Sequence, residues 1–239
     1  MIDTVLFDLD GTLLPIDQNE FIHAYFAELI RCMAPLGYKK DELISAVWKG
    51  TKAMVLNDGE KYNRERFWDS FSSVLGEQVR GFEGMLEDFY CTGFNNAKTV
   101  VKSDAGRDVR PLITNLRDKG YGIILATNPI FPESAVKSRL DWIGLHTDDF
   151  DMVTTYETCT YCKPNPQYYY ELMRRASKDP RQCLMVGNNA KEDTTAAITG
   201  AEVFLLTDFL ENEDNIDISR YTHGNFSELK HFIGDLPQL

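Results

Sequence analysis

The chain is poor in several features that would mark particular classes of protein. Among its 239 residues no run reaches the roughly 18 consecutive apolar side chains of a membrane span. Its first residues also lack the basic start and apolar stretch of a secretory signal. A soluble protein of the cytoplasm is expected. Positive charge is scarce as well: 25 Lys and Arg stand against 37 Asp and Glu, a net charge of -12. Such a balance argues against a nucleic-acid partner, which calls for a basic face or stripe. An anionic substrate would have to be met by a local positive field, from a metal ion, a lysine or helix N-termini. Cysteine is sparse and odd in number, five in all, which suits free thiols in a reducing compartment. Cys159 and Cys162 form the only CxxC. With no second pair or His pair at zinc spacing, they read as ordinary thiols.

Apolar side chains make up 43% of the chain, enough to bury a core. Four short runs, Thr4 to Phe7, Gly122 to Ala126, Cys183 to Val186 and Glu202 to Leu206, are apolar on both alternating faces. Strands buried on both sides read this way, as in a parallel sheet covered by helices. Asp151 to Thr155 is a weaker fifth. Helical patterns fill the gaps: Val109 to Lys119 before Gly120, Pro132 to Ile143 before Gly144, Asn165 to Ala176, and Asp193 to Thr199 before Gly200. The stretch from Asp17 to about Val101 differs. Phe21, Tyr25, Leu29 and Met33 recur every fourth residue, as do Leu43 and Val47, and Phe67, Phe71 and Leu75. This insertion is far longer than a crossover and reads as a second, all-helical domain.

Polar residues follow the apolar runs. Asp8 and Asp10, two positions apart, follow the first; Thr127 and Asn128 follow the second. Lys163 lies in CKPNP, and Asn188, Glu192 and Asp193 follow CLMVG. Taken alone, Asp10-Gly11 would also suit a hairpin turn. In an open parallel sheet, however, ligands bind beyond the carboxyl ends of the strands, where residues distant in number meet.

In DLDGT at 8 to 12, LATN at 125 to 128, KPNP at 163 to 166 and VGNNAKED at 186 to 193 the chain resembles the haloacid dehalogenase-like hydrolases. The branch in question carries a helical cap after the first strand. The resemblance implies an α/β fold: a Rossmann-like parallel core with helices on both faces, from residues 1–16 and 102–239, and a helical cap from 17–101. It implies a hydrolase that cleaves the phosphomonoester of a small phosphorylated metabolite. Asp8 would attack phosphorus to give an aspartyl-phosphate, and Asp10 would pass a proton to the leaving oxygen and later take one from water. Lys163, the Thr127 hydroxyl and backbone N–H groups near Leu9 and Asn128 would hold the phosphoryl oxygens. Mg²⁺ would take oxygen from Asp8, the Asp10 carbonyl, Asp193 and Asn188. Gly11 would permit a close turn, held by Thr12.

The family's last motif usually opens Gly-Asp, and here it reads Gly187-Asn188. The amide removes one negative charge from the cage, which Glu192 could restore from an outer position. Haloacid dehalogenases use the same first aspartate on carbon without a metal and typically lack an acid at the second position, so Asp10 favours phosphate esters. Mutase, phosphonatase and non-catalytic binding members remain alternatives. Hinges are expected near Pro15 to Asp17 and Val101 to Asp104. Lys49, Lys52, Lys61, Arg64, Arg66, Trp48 and Trp68 are candidate substrate contacts of the cap, with a solvated face the competing reading for the charges. Neither the substrate nor the oligomeric state is legible.

Overall fold

The computed structural model describes residues 1–102 and 107–239. Six parallel strands form one sheet in the order β3-β2-β1-β4-β5-β6. They are β1 (Thr4–Phe7), β2 (Gly122–Leu125), β3 (Met152–Val153), β4 (Cys183–Gly187), β5 (Glu202–Leu206) and β6 (Thr222–Gly224). The central strand β1 is buried at every residue and pairs with β2 and β4, placing Phe7 beside both Leu125 and Val186. Its alternation sends Val5 and Phe7 to one apolar cluster and Leu6 to another on the opposite face. The four strong runs are therefore strands, with ends within one residue of expectation. The weak fifth shrinks to two residues, flanked by Asp151 and Thr154, whose side chains add bonds to the backbone of β2: Asp151 Oδ2 accepts from Ile123 N at 2.8 Å and Thr154 Oγ1 donates to Leu125 O at 3.2 Å. The polar edge strand β6 had no counterpart in the sequence reading.

After β1 the described residues form four helices, α1 (Gln18–Met33), α2 (Lys40–Val55), α3 (Asn63–Leu75) and α4 (Glu83–Cys91), followed by a 3-10 segment, Gly93–Val100. Asp17 caps α1 by accepting from Glu20 N at 3.0 Å. The expected apolar stripe, Phe21, Tyr25, Leu29 and Met33, is buried, and it shares one continuous apolar cluster with Val5, Phe7 and Leu125 of the sheet. Lys102 N donates to Pro15 O at 2.8 Å, so the entry and exit of the helical stretch are bonded together. Ser103 and Asp104, part of the expected second hinge, lie outside the described residues.

The sheet is covered by α5 (Arg110–Asp118), α6 (Glu133–Trp142), α7 (Pro166–Ala176) and α8 (Phe226–Asp235). The segment expected as a helix from Asp193 is instead a 3-10 turn, Thr194–Thr199. Its hydroxyls bond backward, Thr194 to Ala190 O at 2.6 Å and Thr199 to Ala196 O at 2.7 Å, which competes with regular helix. Helix α6 also reaches into the helical stretch: Ser138 Oγ donates to Tyr90 O and Trp142 Nε1 to Asn95 Oδ1, each at 2.7 Å. No helix among the described residues is long and apolar enough to cross a membrane.

Candidate active site

The chain leaves β1 through a turn rather than a hairpin. Leu9 O accepts from Thr12 N at 3.1 Å and from Leu14 N at 2.8 Å, and Gly11 sits at φ +78°. A Cβ on Gly11 would fall 2.2 Å from Asn188 Nδ2, so this position requires glycine for conformation and for space. Asp8 is fixed at the strand end, its N–H donating to Val186 O at 2.9 Å.

Lys163 joins what the sequence separates. Its Nζ donates to Asp8 Oδ1 at 2.9 Å and to Asp193 Oδ1 at 2.7 Å, with the lysine and Asp193 entirely buried. The other Asp193 oxygen accepts from Asn189 N at 2.9 Å. Gly187 leaves room for this carboxylate, since a Cβ there would lie 2.0 Å from Asp193 Oδ2. Burial outweighs the nearby ammonium at Asp8 and raises its pKa to about 7. Lys163 moves well above its usual value, because Asp193 and Asp8 overcome the opposing effect of burial.

A cavity of about 90 Å³ opens above this cluster, lined by Asp8, Asp10, Thr127, Asn128, Asn188 and Glu192 among others. Lys163, Asp193 and the buried Leu9 are not among its lining residues. The Thr127 carbonyl is held from behind by Thr154 Oγ1 at 2.7 Å and the Tyr168 hydroxyl at 3.0 Å. Asn128 Nδ2 donates to Glu192 Oε1 at 3.0 Å, and burial pushes Glu192 up to about 8. The amide at 188 has its own task. Its Oδ1 accepts from the Thr12 hydroxyl at 2.9 Å while its Nδ2 donates to Phe209 O at 2.7 Å, which an ionised carboxylate could not do.

Two functional arginines escaped the sequence reading. Arg139, fully buried on α6, donates from NH1 to Asp10 Oδ2 and lies over the Phe131 ring, 4.5 Å from its centroid. The signal was an arginine four residues after buried Ala135 and three before buried Trp142, on the helix's inner face. Arg107 NH1 donates to Gly11 O at 2.9 Å and Thr12 O at 2.5 Å, clamping the turn that carries Asp10. Burial raises the Asp10 carboxyl, and the Arg139 guanidinium opposes that rise.

Of the candidate cap contacts, Trp68 is buried and lines a second cavity between the helical stretch and the loop after β2, while the others are paired with acids or exposed. Lys61 pairs with Asp69 at 2.8 Å, Arg64 with Glu83 at 2.7 Å and Arg66 with Asp58, while Lys49, Lys52 and Trp48 are exposed. Cys159 and Cys162 are free and buried, with burial pushing the Cys159 thiol up to about 11 and Cys162 well above its usual value.

The donor chemistry fits a hard divalent cation. Every polar group facing the cavity from Asp8, Asp10 and Asn188 includes an oxygen, and Asp10 Oδ1 and Asn128 Oδ1 are buried acceptors without a hydrogen-bond partner. Among the described residues no three His, Cys, Asp or Glu side chains form a ready-made cage.

Known proteins sharpen the picture. Pyrophosphatase PpaX of Bacillus thuringiensis (strain Al Hakam) is 25% identical over 195 residues, covering 79% of this chain and 75% of that protein. Three solved structures share the fold over 98% or more of this chain. A HAD phosphatase from Thermococcus onnurineus has TM-score 0.61 and 22% identity, with all of both chains covered. The magnesium-bound HAD-hydrolase YfnB of Bacillus subtilis has 0.59 and 20%, covering 98% and 99% of the two chains. L-2-haloacid dehalogenase of Xanthobacter autotrophicus has 0.58 and 15%, covering 99% and 100%. A model of the haloacid dehalogenase-like hydrolases matches residues 2–200. With the lysine-bridged aspartates at the ends of a parallel sheet and that match across most of its length, the chain belongs to the haloacid dehalogenase-like hydrolase family.

Proposed function

We propose that the chain is a Mg²⁺-assisted phosphomonoesterase acting on a small phosphorylated metabolite through an aspartyl-phosphate. The observation that carries this reading is the Lys163 ammonium held between Asp8 and Asp193, with Asp10 facing the same cavity as Asp8. Asp8 Oδ2, the carboxylate oxygen not bonded to Lys163, would attack phosphorus as the ester oxygen leaves. Asp10 would give that oxygen a proton, and in the second half-reaction would take one from the water that cleaves the acyl phosphate. Arg139 would aim Asp10 and limit how far burial raises it, so that the same carboxyl can serve in both directions. The Thr127 hydroxyl, the N–H groups of Leu9 and Asn128, and Lys163 would bind the phosphoryl oxygens. Asp8, Asp10, Asn188 and Asp193 would hold the cation, which supplies charge stabilisation for the phosphoryl oxygens.

The division into a core of 1–16 and 102–239 and a cap of 17–101 is part of this proposal, the cap serving to exclude water over the site. The fold is shared with dehalogenases. Asp10, with its arginine partner, is what favours an ester, because a halide leaving group needs no proton. Hydrolysis of p-nitrophenyl phosphate and of a panel of phosphorylated metabolites, with and without Mg²⁺, tests the reading. Activity in the wild type and none in Asp8→Asn is expected; wild type and variant equally inert across the panel would turn the chain into a binding protein.

A further inference from the structure

Between the helical stretch and the loop after β2 lies a second, enclosed chamber of about 50 Å³, room for about three to five water-sized groups. Its walls are aromatic, with Tyr25, Trp68, Tyr90, Phe131 and Tyr156 among them. Ile130 and Phe131 line this chamber and the catalytic cavity alike, so the two spaces share a wall. The chamber therefore adjoins the space above Asp8, on the side to which the far end of a bound ester could extend past Phe131. This step rests on the phosphomonoesterase reading.

The charged groups that line the chamber itself have one sign. Glu83 and Glu87 line the chamber, with no Lys, Arg or His among its described lining residues. Glu83 is bonded to Arg64, Nε to Oε1 at 2.8 Å; Glu87 has no basic partner among the described residues. The catalytic cavity adds the carboxyl groups of Asp8, Asp10, Glu192 and Glu211, which burial raises towards their neutral forms, and its nearest buried cations, Lys163 and Arg139, are already bonded to aspartates. A groove continuing from Gln18 and Glu211 is lined by Asp17, Asp208 and Glu213. The cations beside this route, Arg139 over the Phe131 ring and Arg107 next to Asp208, are each paired with an acid. Ring faces beside a carboxylate are instead the surroundings that bind an ammonium.

We infer that the chamber is the leaving-group pocket, and that it selects phosphate monoesters whose alcohol ends in a compact ammonium group. Glu87 supplies the charge and the rings supply the fit. Pyrophosphate, whose leaving group is itself anionic, is disfavoured.

Four substrates test this with the purified chain and Mg²⁺: choline phosphate, its uncharged isostere 3,3-dimethylbutyl phosphate, pyrophosphate, and p-nitrophenyl phosphate as reference. A kcat/KM for choline phosphate about 10-fold or more above the isostere is expected, with pyrophosphate slowest. Glu87→Gln should bring the choline-to-isostere ratio towards one. Equal rates for the two esters, a ratio that Glu87→Gln leaves intact, or a preference for pyrophosphate overturns the assignment. Calorimetric titration of Asp8→Asn with the same two esters reads the pocket without turnover. A binding preference for choline phosphate there upholds the pocket even if no ester is hydrolysed, a result that would sink only the phosphomonoesterase reading; equal affinities sink the pocket whatever the activity.

Discussion

Replacing Asp8, the proposed nucleophile, should make the metal-free protein more stable. Asp8 rises from an ordinary 3.8 to about 7 because burial disfavours its charged form more than Lys163 favours it. Between those values the folded chain holds a proton that the unfolded chain has released, so folding stability falls as pH rises through this window. Each unit is worth about 1.4 kcal/mol, so the full shift of about three units comes to about 4 kcal/mol at pH 8. Asp8→Asn removes this titration while keeping the side chain's size and an oxygen to accept from Lys163. In urea unfolding with EDTA, the variant should exceed the wild type by up to about 4 kcal/mol at pH 8. The gap should shrink by about 2 kcal/mol between pH 7 and pH 5. The Asp8 charge also helps to raise the buried Glu192, so the substitution relieves that carboxyl as well and acts in the same direction. A variant less stable than wild type at pH 8, or a gap independent of pH, would refute the view that the attacking carboxylate is held against its solvation.

Three further outcomes follow from the site. Lys163→Met leaves Asp8 and Asp193 facing each other in the core and should cost about 3–5 kcal/mol in unfolding experiments at pH 7.5; a loss below 1 kcal/mol would contradict the bridge. Asp10→Asn should slow esters of poor leaving groups far more than p-nitrophenyl phosphate, since p-nitrophenolate departs with little proton donation; equal losses remove Asp10 from the proton-donor role. Arg139→Met takes away the charge that holds Asp10 down, so the alkaline limb of kcat for an alkyl phosphate should move up by about one to three pH units, and an unmoved limb would mean that the guanidinium only fills space.

The site was legible where chemistry sits at the end of an apolar run. Thr4–Phe7, Gly122–Leu125 and Cys183–Gly187 are buried on both faces, so their patterns announced strands, and the rule for parallel sheets carried Asp8, Thr127 and Asn188 to one edge. Lys163 needed the family resemblance, because a lysine before proline looks like solvated loop until its two carboxylates are in place. Arg139 was hidden by company: Glu133, Lys137 and Asp141 give α6 the look of a solvated helix, and only its packing shows that position 139 faces inward. Asn188 appeared to be a weakened ligand. Its amide is needed by Phe209 and Thr12, partners fixed by a loop more than twenty residues away in one case and by the first turn in the other, and no local pattern encodes either.

Helix α6 grips both halves of the molecule: through Arg139 it holds the Asp10 carboxylate, and through Ser138 and Trp142 it is bonded to Tyr90 and Asn95 of the inserted helices. Were the inserted helices to rock as the proposed cap, the movement would reach Asp10 through this one helix, so that covering a substrate and aiming the proposed proton donor would be a single motion.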